Sequence, residues 1–143
     1  YGSISLTKDY SSAHHYTVPL VTIDQFRFGK INFIKVDVEG METEVIDGAS
    51  ESIQRCKPFL YVENDRKQNC LELVAKIYGH QYEIYEHNPN MYNPKNFFNN
   101  KENLFLNKSS TYHIEIVSVN LFAHHKSVEC PVNLEKHGLK KIT

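Results

Sequence analysis

Apolar and polar positions alternate over Ile31-Asn32-Phe33-Ile34-Lys35-Val36-Asp37-Val38-Glu39-Gly40-Met41-Glu42. The pattern predicts a buried strand from about Phe33 to Val38, a turn at Gly40 and a helix starting near Met41. Period-2 geometry puts Ile34, Val36 and Val38 on one face and Lys35, Asp37 and Glu39 on the other. The helix's first turn is acidic, with Glu42 and Glu44, which suits the positive end of its dipole, and Met41, Val45 and Ile46 share one face. Gly48 interrupts that face, and a second helical piece is expected from Ser50 to Arg55 with Ile53 inward. Pro58 marks the exit. Phe59-Leu60-Tyr61-Val62 is an apolar run of strand length that ends in Glu63-Asn64-Asp65. Cys70, Leu71, Val74, Ile77 and Tyr78 recur at helical spacing before Gly79, and Tyr82 to Tyr85 alternates as a strand. A β-α-β-α-β order favours a parallel sheet.

The flanks are less regular. Ser3 to Leu6 alternates briefly. Val18 to Ile23 reads as a short strand that Pro19 confines to an edge or a strand start. Asp24 to Gly29 reads as a turn or short helix, with Asp24 as a cap and Phe26 and Phe28 under the sheet. Eight of the twenty residues from 88 to 107 are Asn, interspersed with Tyr92, Phe97, Phe98 and Phe105. The aromatics favour a loop that packs onto something. Ile114 to Phe122 is the last clear strand. Residues 124–143, with Lys136, Lys140 and Lys141, read as a polar, basic and weakly ordered tail behind a domain spanning 1–123.

Composition narrows the function classes. A chain of 143 residues with 41% hydrophobic content is long enough for one domain with a sizeable core. A net charge of −1 argues against a nucleic-acid binder with a broad basic surface. No apolar run approaches membrane-spanning length, so no membrane partner is expected either. Cys56, Cys70 and Cys130 form no CxxC pair and read as free thiols of a reducing compartment, the cytoplasm. His14-His15 and His124-His125 are adjacent pairs whose side chains point to opposite faces of a strand, so no metal site is expected. The chain opens Tyr1-Gly2-Ser3 without an initiator Met and reads as a fragment or a processed product.

Candidate chemistry centres on the two strand ends. Three charges on one face of an apolar strand need pairing or a cavity beside them. Ligands of open α/β sheets bind beyond the carboxyl ends of the strands. Asp37 and Glu39 sit there, with Lys35 as a salt-bridge partner and Gly40 permitting the sharp turn. Spacing alone leaves a structural role, as acids at a helix N-terminus, and a ligand-site role both open. Glu63 invites the same two readings. Two neighbouring strands ending in acids could orient a hydroxyl, act as general base or hold a cationic group. Tyr61 and Tyr78 read as core. Asn120 could line the pocket or make an internal hydrogen bond. There is no Ser nucleophile elbow, phosphate-binding glycine loop, HExxH or GxGxxG.

The Lys35-to-Glu42 block, with Ile23-Asp24, Asp47-Gly48-Ala49 and Lys57-Pro58 ahead of Val62-Glu63, resembles the FkbM-type family of S-adenosylmethionine-dependent methyltransferases. The resemblance covers about Ser5 to Ala123. It implies an α/β, Rossmann-like class I methyltransferase sheet, mostly parallel with an antiparallel final hairpin. The strands at Phe33–Val38, Phe59–Val62, Tyr82–Tyr85 and Ile114–Phe122 would be its fourth to seventh. It further implies methyl transfer from S-adenosylmethionine to a hydroxyl of a sugar, glycan or small natural product. On that reading Asp37 and Glu39 are catalytic, Asp37 and Gly40 lie by the cofactor, and Lys35, Glu63 and Asn120 meet the acceptor. The family's cofactor site begins with a strand and an Asp-x-Gly-x-x-x-Gly turn, followed by a second strand ending in a ribose-binding acid. Neither occurs in these 143 residues. The chain therefore corresponds to the second half of the domain, with the N-terminal strands missing. The rival reading is a non-catalytic remnant that serves as a binding or scaffold module.

Overall fold

Ile34 and Val36 on one strand and Leu60 and Val62 on its neighbour form the centre of the core. The computed structural model describes residues 18–66, 70–107 and 114–142. The expected strand from Ser3 to Leu6 lies outside these residues. The elements are β1 (Phe33–Val36), α1 (Glu42–Asp47), α2 (Ser50–Cys56), β2 (Phe59–Glu63), α3 (Cys70–Gly79) and β3 (Tyr82–His87). They continue as β4 (Leu106–Asn107), β5 (Ile114–Glu115), β6 (Asn120–His125) and β7 (Lys140–Lys141). The bend at Gly48 separates α1 from α2, as the pattern predicts.

The main sheet has the order β1-β2-β6-β3-β7. The mostly parallel sheet expected from sequence is corrected here. Among the described strands only β1 and β2 pair in parallel; β6 runs antiparallel to both β2 and β3, and β7 antiparallel to β3. The periodicity gave the common direction of β1, β2 and β3 correctly, but not their adjacency. The long excursion after β3 returns the chain as β6 between β2 and β3, so one inserted strand replaces a single would-be parallel contact by two antiparallel ladders.

One face of the sheet is apolar. Ile34, Val36, Leu60, Val62, Ile84, Leu121 and Ala123 pack under Ile46 of α1, Ala49 at the junction, Ile53 of α2, and Leu73 and Ile77 of α3. Fully buried Tyr82 donates its hydroxyl to the Pro58 carbonyl at 2.9 Å, the partner that a buried phenol needs. The opposite face carries Lys35, Tyr61 and Glu63.

Several flanking expectations change. Residues 18–23 form no strand, and Val18, Leu20 and Val21 are exposed. Thr22 and Gln25 instead exchange side chain to backbone bonds of 3.2 and 3.3 Å, a capping-box arrangement that opens the 3-10 turn Asp24–Phe26. Asp24 does cap a helix, but a distant one: its carboxylate accepts from the Glu51 and Ser52 backbone N–H groups at 3.0 and 2.8 Å, closing the start of α2. Phe26 and Phe28 stack on each other and stay exposed rather than packing under the sheet.

The expected strand from Ile114 to Phe122 divides into β5, which pairs with β4 in a small second sheet, and β6, which runs on to His125. Phe97 and Phe98 touch each other but are 93% and 87% exposed, so these two aromatics do not anchor their loop. Beyond Ala123 the chain is not a loose tail. Leu134 and Leu139 bury against Tyr85, and β7 pairs with β3. Two leucines spaced through a polar stretch were enough to dock it.

Candidate active site

The register sets the geometry. Val36 pairs with Val62 across the parallel β1–β2 ladder, so Asp37 and Glu63, the next residue on each chain, end neighbouring strands side by side. Alternation turns Val36 and Val62 to the core and leaves the acids on the other face with Lys35 and Tyr61. Lys35 Nζ donates to Asp37 Oδ2 at 2.7 Å. That bond holds Asp37 below the usual carboxylate range and Lys35 above the usual ammonium range. Glu63 differs. Burial, together with the nearby acids Asp37, Asp65 and Glu39, pushes its carboxyl up to about 7. The two carboxyls also act on each other's ionisation, in opposite directions: Asp37 is drawn down and Glu63 pushed up.

The turn after β1 is built around a buried acid. Glu39 and Gly40 both have positive φ, 56° and 104°, and the second value is one that only glycine adopts without strain. Glu42 is only 4% exposed. Its Oε1 accepts from the Gly40 N–H at 3.0 Å and the Val38 N–H at 3.4 Å. Sequence reasoning read Glu42 only as a first-turn acid, whereas it is the clamp that shapes the turn. The left-handed conformation at Glu39 breaks the strand alternation. Glu39 consequently pairs with Arg66 at 2.8 Å, and Arg66 also reaches Asp65 at 3.4 Å.

Asn120 lies opposite Glu63 on one side and opposite His87 on the other. Its Nδ2 donates to Ser118 Oγ at 2.9 Å and to the His87 carbonyl at 3.4 Å, the internal-bond alternative. Tyr61, read as core, is half-buried, and its hydroxyl lies 2.8 Å from His87 Nδ1. Burial raises the Tyr61 phenol above its ordinary value. The signal for Tyr61 was present in the sequence, because it precedes Glu63 by two residues and so shares its face. No sequence signal pointed to His87. The structure thus joins Lys35, Asp37 and Glu63 directly, and sets Asn120 and the Tyr61–His87 pair beside them. Glu39 is engaged by Arg66, and Gly40 has a conformational role in the turn. Among the described residues no group of three or more His, Cys, Asp or Glu could hold a metal ion.

Four carboxyl groups (Asp37, Glu39, Glu63, Asp65) thus converge on this sheet end against two cations, Lys35 and Arg66. Even with Glu63 protonated, the balance is negative, which suits a cationic ligand group. Residues 2–68 match the family model of the methyltransferase FkbM domain. The matched stretch includes β1, α1, α2 and β2, and with them Lys35, Asp37, Glu39, Gly40, Glu42 and Glu63. His87 and Asn120 lie outside it. The FkbM match indicates methyl transfer as the chemistry associated with this part of the chain. Searches of curated proteins and of solved structures returned no match. Among the described residues no helix is long and apolar enough to cross a membrane.

Proposed function

We propose that the chain is the acceptor-side portion of an S-adenosylmethionine-dependent O-methyltransferase acting on a hydroxyl of a sugar, glycan or small natural product. The observation that carries this reading is the unlike pair Asp37 and Glu63 at the ends of two adjacent parallel strands. When bound, S-adenosylmethionine supplies an electrophilic methyl on a sulfonium centre, and the negative balance of the site favours that positive charge. Asp37, Gly40 and their turn are the residues that would lie beside it.

The two acids divide the work. Asp37, kept ionised by Lys35, is a steady acceptor that orients the substrate hydroxyl but a weak base. Glu63, with a carboxyl near 7, is matched to proton removal at neutral pH. In its ionised fraction it would accept the proton of the acceptor hydroxyl. Most of the acceleration comes from holding the hydroxyl in line. Lys35 and Asn120 border the acceptor, and Glu39 acts through Arg66 to hold the turn. The free thiols Cys56, Cys70 and Cys130 favour a reducing compartment, the cytoplasm.

The test begins with calorimetric titration of the folded chain with S-adenosylhomocysteine, followed by methyl transfer to a panel of hydroxyl acceptors by the full reading frame. Saturable binding weakened by Asp37→Asn, and turnover lost in Glu63→Gln, are the expected results. A folded full-length protein that neither binds S-adenosylhomocysteine nor transfers methyl would establish the rival reading, a binding module built on the same fold.

A further inference from the structure

α3 has two apolar stripes. Leu73 and Ile77 face the core. Leu71, Val74, Ala75 and Tyr78, spaced i, i+3, i+4, i+7, form a second stripe, on which Leu71 and Tyr78 are 83% and 62% exposed. This second stripe together with Ile84 and Ile142 lines a half-open cavity of about 530 Å³. The volume lies within the range of small-molecule sites, which pair an apolar lining with a few placed polar groups. None of the residues of the Asp37–Glu63 site lines it, and it lies outside the stretch that matches the FkbM model.

The charged groups lining the cavity are the two ammonium ions of Lys126 and Lys141 and the carboxylate of Glu83. Lys141 Nζ is paired with Glu83 Oε1 at 2.9 Å. Lys126 has no carboxylate partner among the described residues. Its Nζ rests 4.7 Å from the centroid of the Tyr78 ring, held by the cation–π attraction. One uncompensated positive charge therefore borders an apolar cavity. A monoanion with an apolar body matches that combination. A dianion would leave a charge unmatched, and a cation would meet Lys126.

We propose that this cavity binds an amphipathic carboxylate, its alkyl or aryl body against the second stripe of α3 and its head group on Lys126. The test is calorimetric titration of the folded protein with dodecanoate, below the concentration at which it forms micelles. Dodecyltrimethylammonium, of the same chain length and opposite charge, is titrated in parallel. Saturable 1:1 binding of dodecanoate at least roughly tenfold tighter than the cation is expected, with a similar loss in the exposed-site variant Lys126→Glu. Ala75→Trp, which fills the cavity, should abolish binding, and its single indole reports its own burial in a chain that otherwise has no Trp. Absence of saturable binding, equal binding of the two head groups, or undiminished binding by Lys126→Glu would each overturn the proposal. So would a dimer in light scattering that Leu71→Asp dissolves, because a second copy of the chain would then occupy the groove.

Discussion

Glu63→Gln separates the ionised from the protonated carboxyl at the strand ends. Gln has the shape of the protonated acid and, like it, brings no charge beside Asp37. The folded-state value of Glu63 is about 7 against an ordinary 4.5. Below 4.5 the group is protonated in both folded and unfolded chains. Between 4.5 and 7 the folded chain binds more protons, so its stability falls as pH rises, and above 7 the loss is complete. The full shift of about 2.5 units corresponds to about 3 kcal/mol. Partial exposure of the side chain and solvent screening reduce this to about 1–2 kcal/mol. His125, which burial holds below its ordinary value, titrates in the opposite sense near the same window, so the mutant–wild-type difference is the quantity to read. Urea unfolding at pH 4.5, 6 and 8 should find the two proteins equal at pH 4.5. At pH 8 the Gln variant should be more stable by about 1–2 kcal/mol. Parallel stability curves across that range would refute the raised Glu63 carboxyl, and with it the assignment of Glu63 as base.

Three further outcomes follow from local geometry. Asp24→Ala removes the side chain that closes two N–H groups of α2 from 27 and 28 residues away; a loss of about 1–2 kcal/mol in urea unfolding is expected. Gly40→Ala meets no neighbour within 4 Å but must adopt φ of 104°, so about 1–2 kcal/mol should be lost from backbone strain alone, while Gly29→Ala, without either constraint, should stay within about 0.5 kcal/mol. Leu139→Ala opens the small cluster around Tyr85 and Leu134. It should cost about 2 kcal/mol and speed amide exchange in β7 and the facing part of β3 more than in β1 and β2.

The sequence made the β1–α1–α2–β2 unit legible because each of its signals is local. Alternation at Ile34 and Val36, the break at Gly48 and the exit at Pro58 each determine their own neighbourhood. The two acids at neighbouring strand ends were legible for the same reason, once Phe33 and Phe59 were both read as strand starts. What escaped was non-local. The resemblance implied the antiparallel pairing of β6 with β3, but nothing within Asn120 to His125 says that this strand enters between β2 and β3, so its second antiparallel ladder, to β2, could not be read. Tyr61 was taken as core because its hydroxyl's partner, His87, lies 26 residues away. Glu42 was taken only as a first-turn acid because a buried carboxylate is recognisable only when its donors, the Gly40 and Val38 N–H groups, are in view.

That last misreading bears on function. Glu42 at the first position of α1 fixes the turn, the turn sends Glu39 away to Arg66, and Asp37 is left paired with Lys35 beside Glu63. Had Glu39 kept the strand alternation, three carboxylates would crowd one face with a single ammonium, and like-charge repulsion would raise more than one of their pKa values together. The left-handed residue removes one acid from the row. The remaining pair is then asymmetric, one carboxyl held low by an ammonium and the other held high by burial. Two acids pushed in opposite directions are what an orienting group and a proton acceptor require of neighbouring residues. If Glu42→Gln leaves the folded chain intact but loosens the turn, the asymmetry itself should shrink. The carbon-13 titration midpoint of the Asp37 side-chain carboxyl, held low by Lys35, would then move up toward the ordinary aspartate value as Glu39 rejoins the row. A midpoint unchanged in that variant would show that the turn contributes nothing to the pairing.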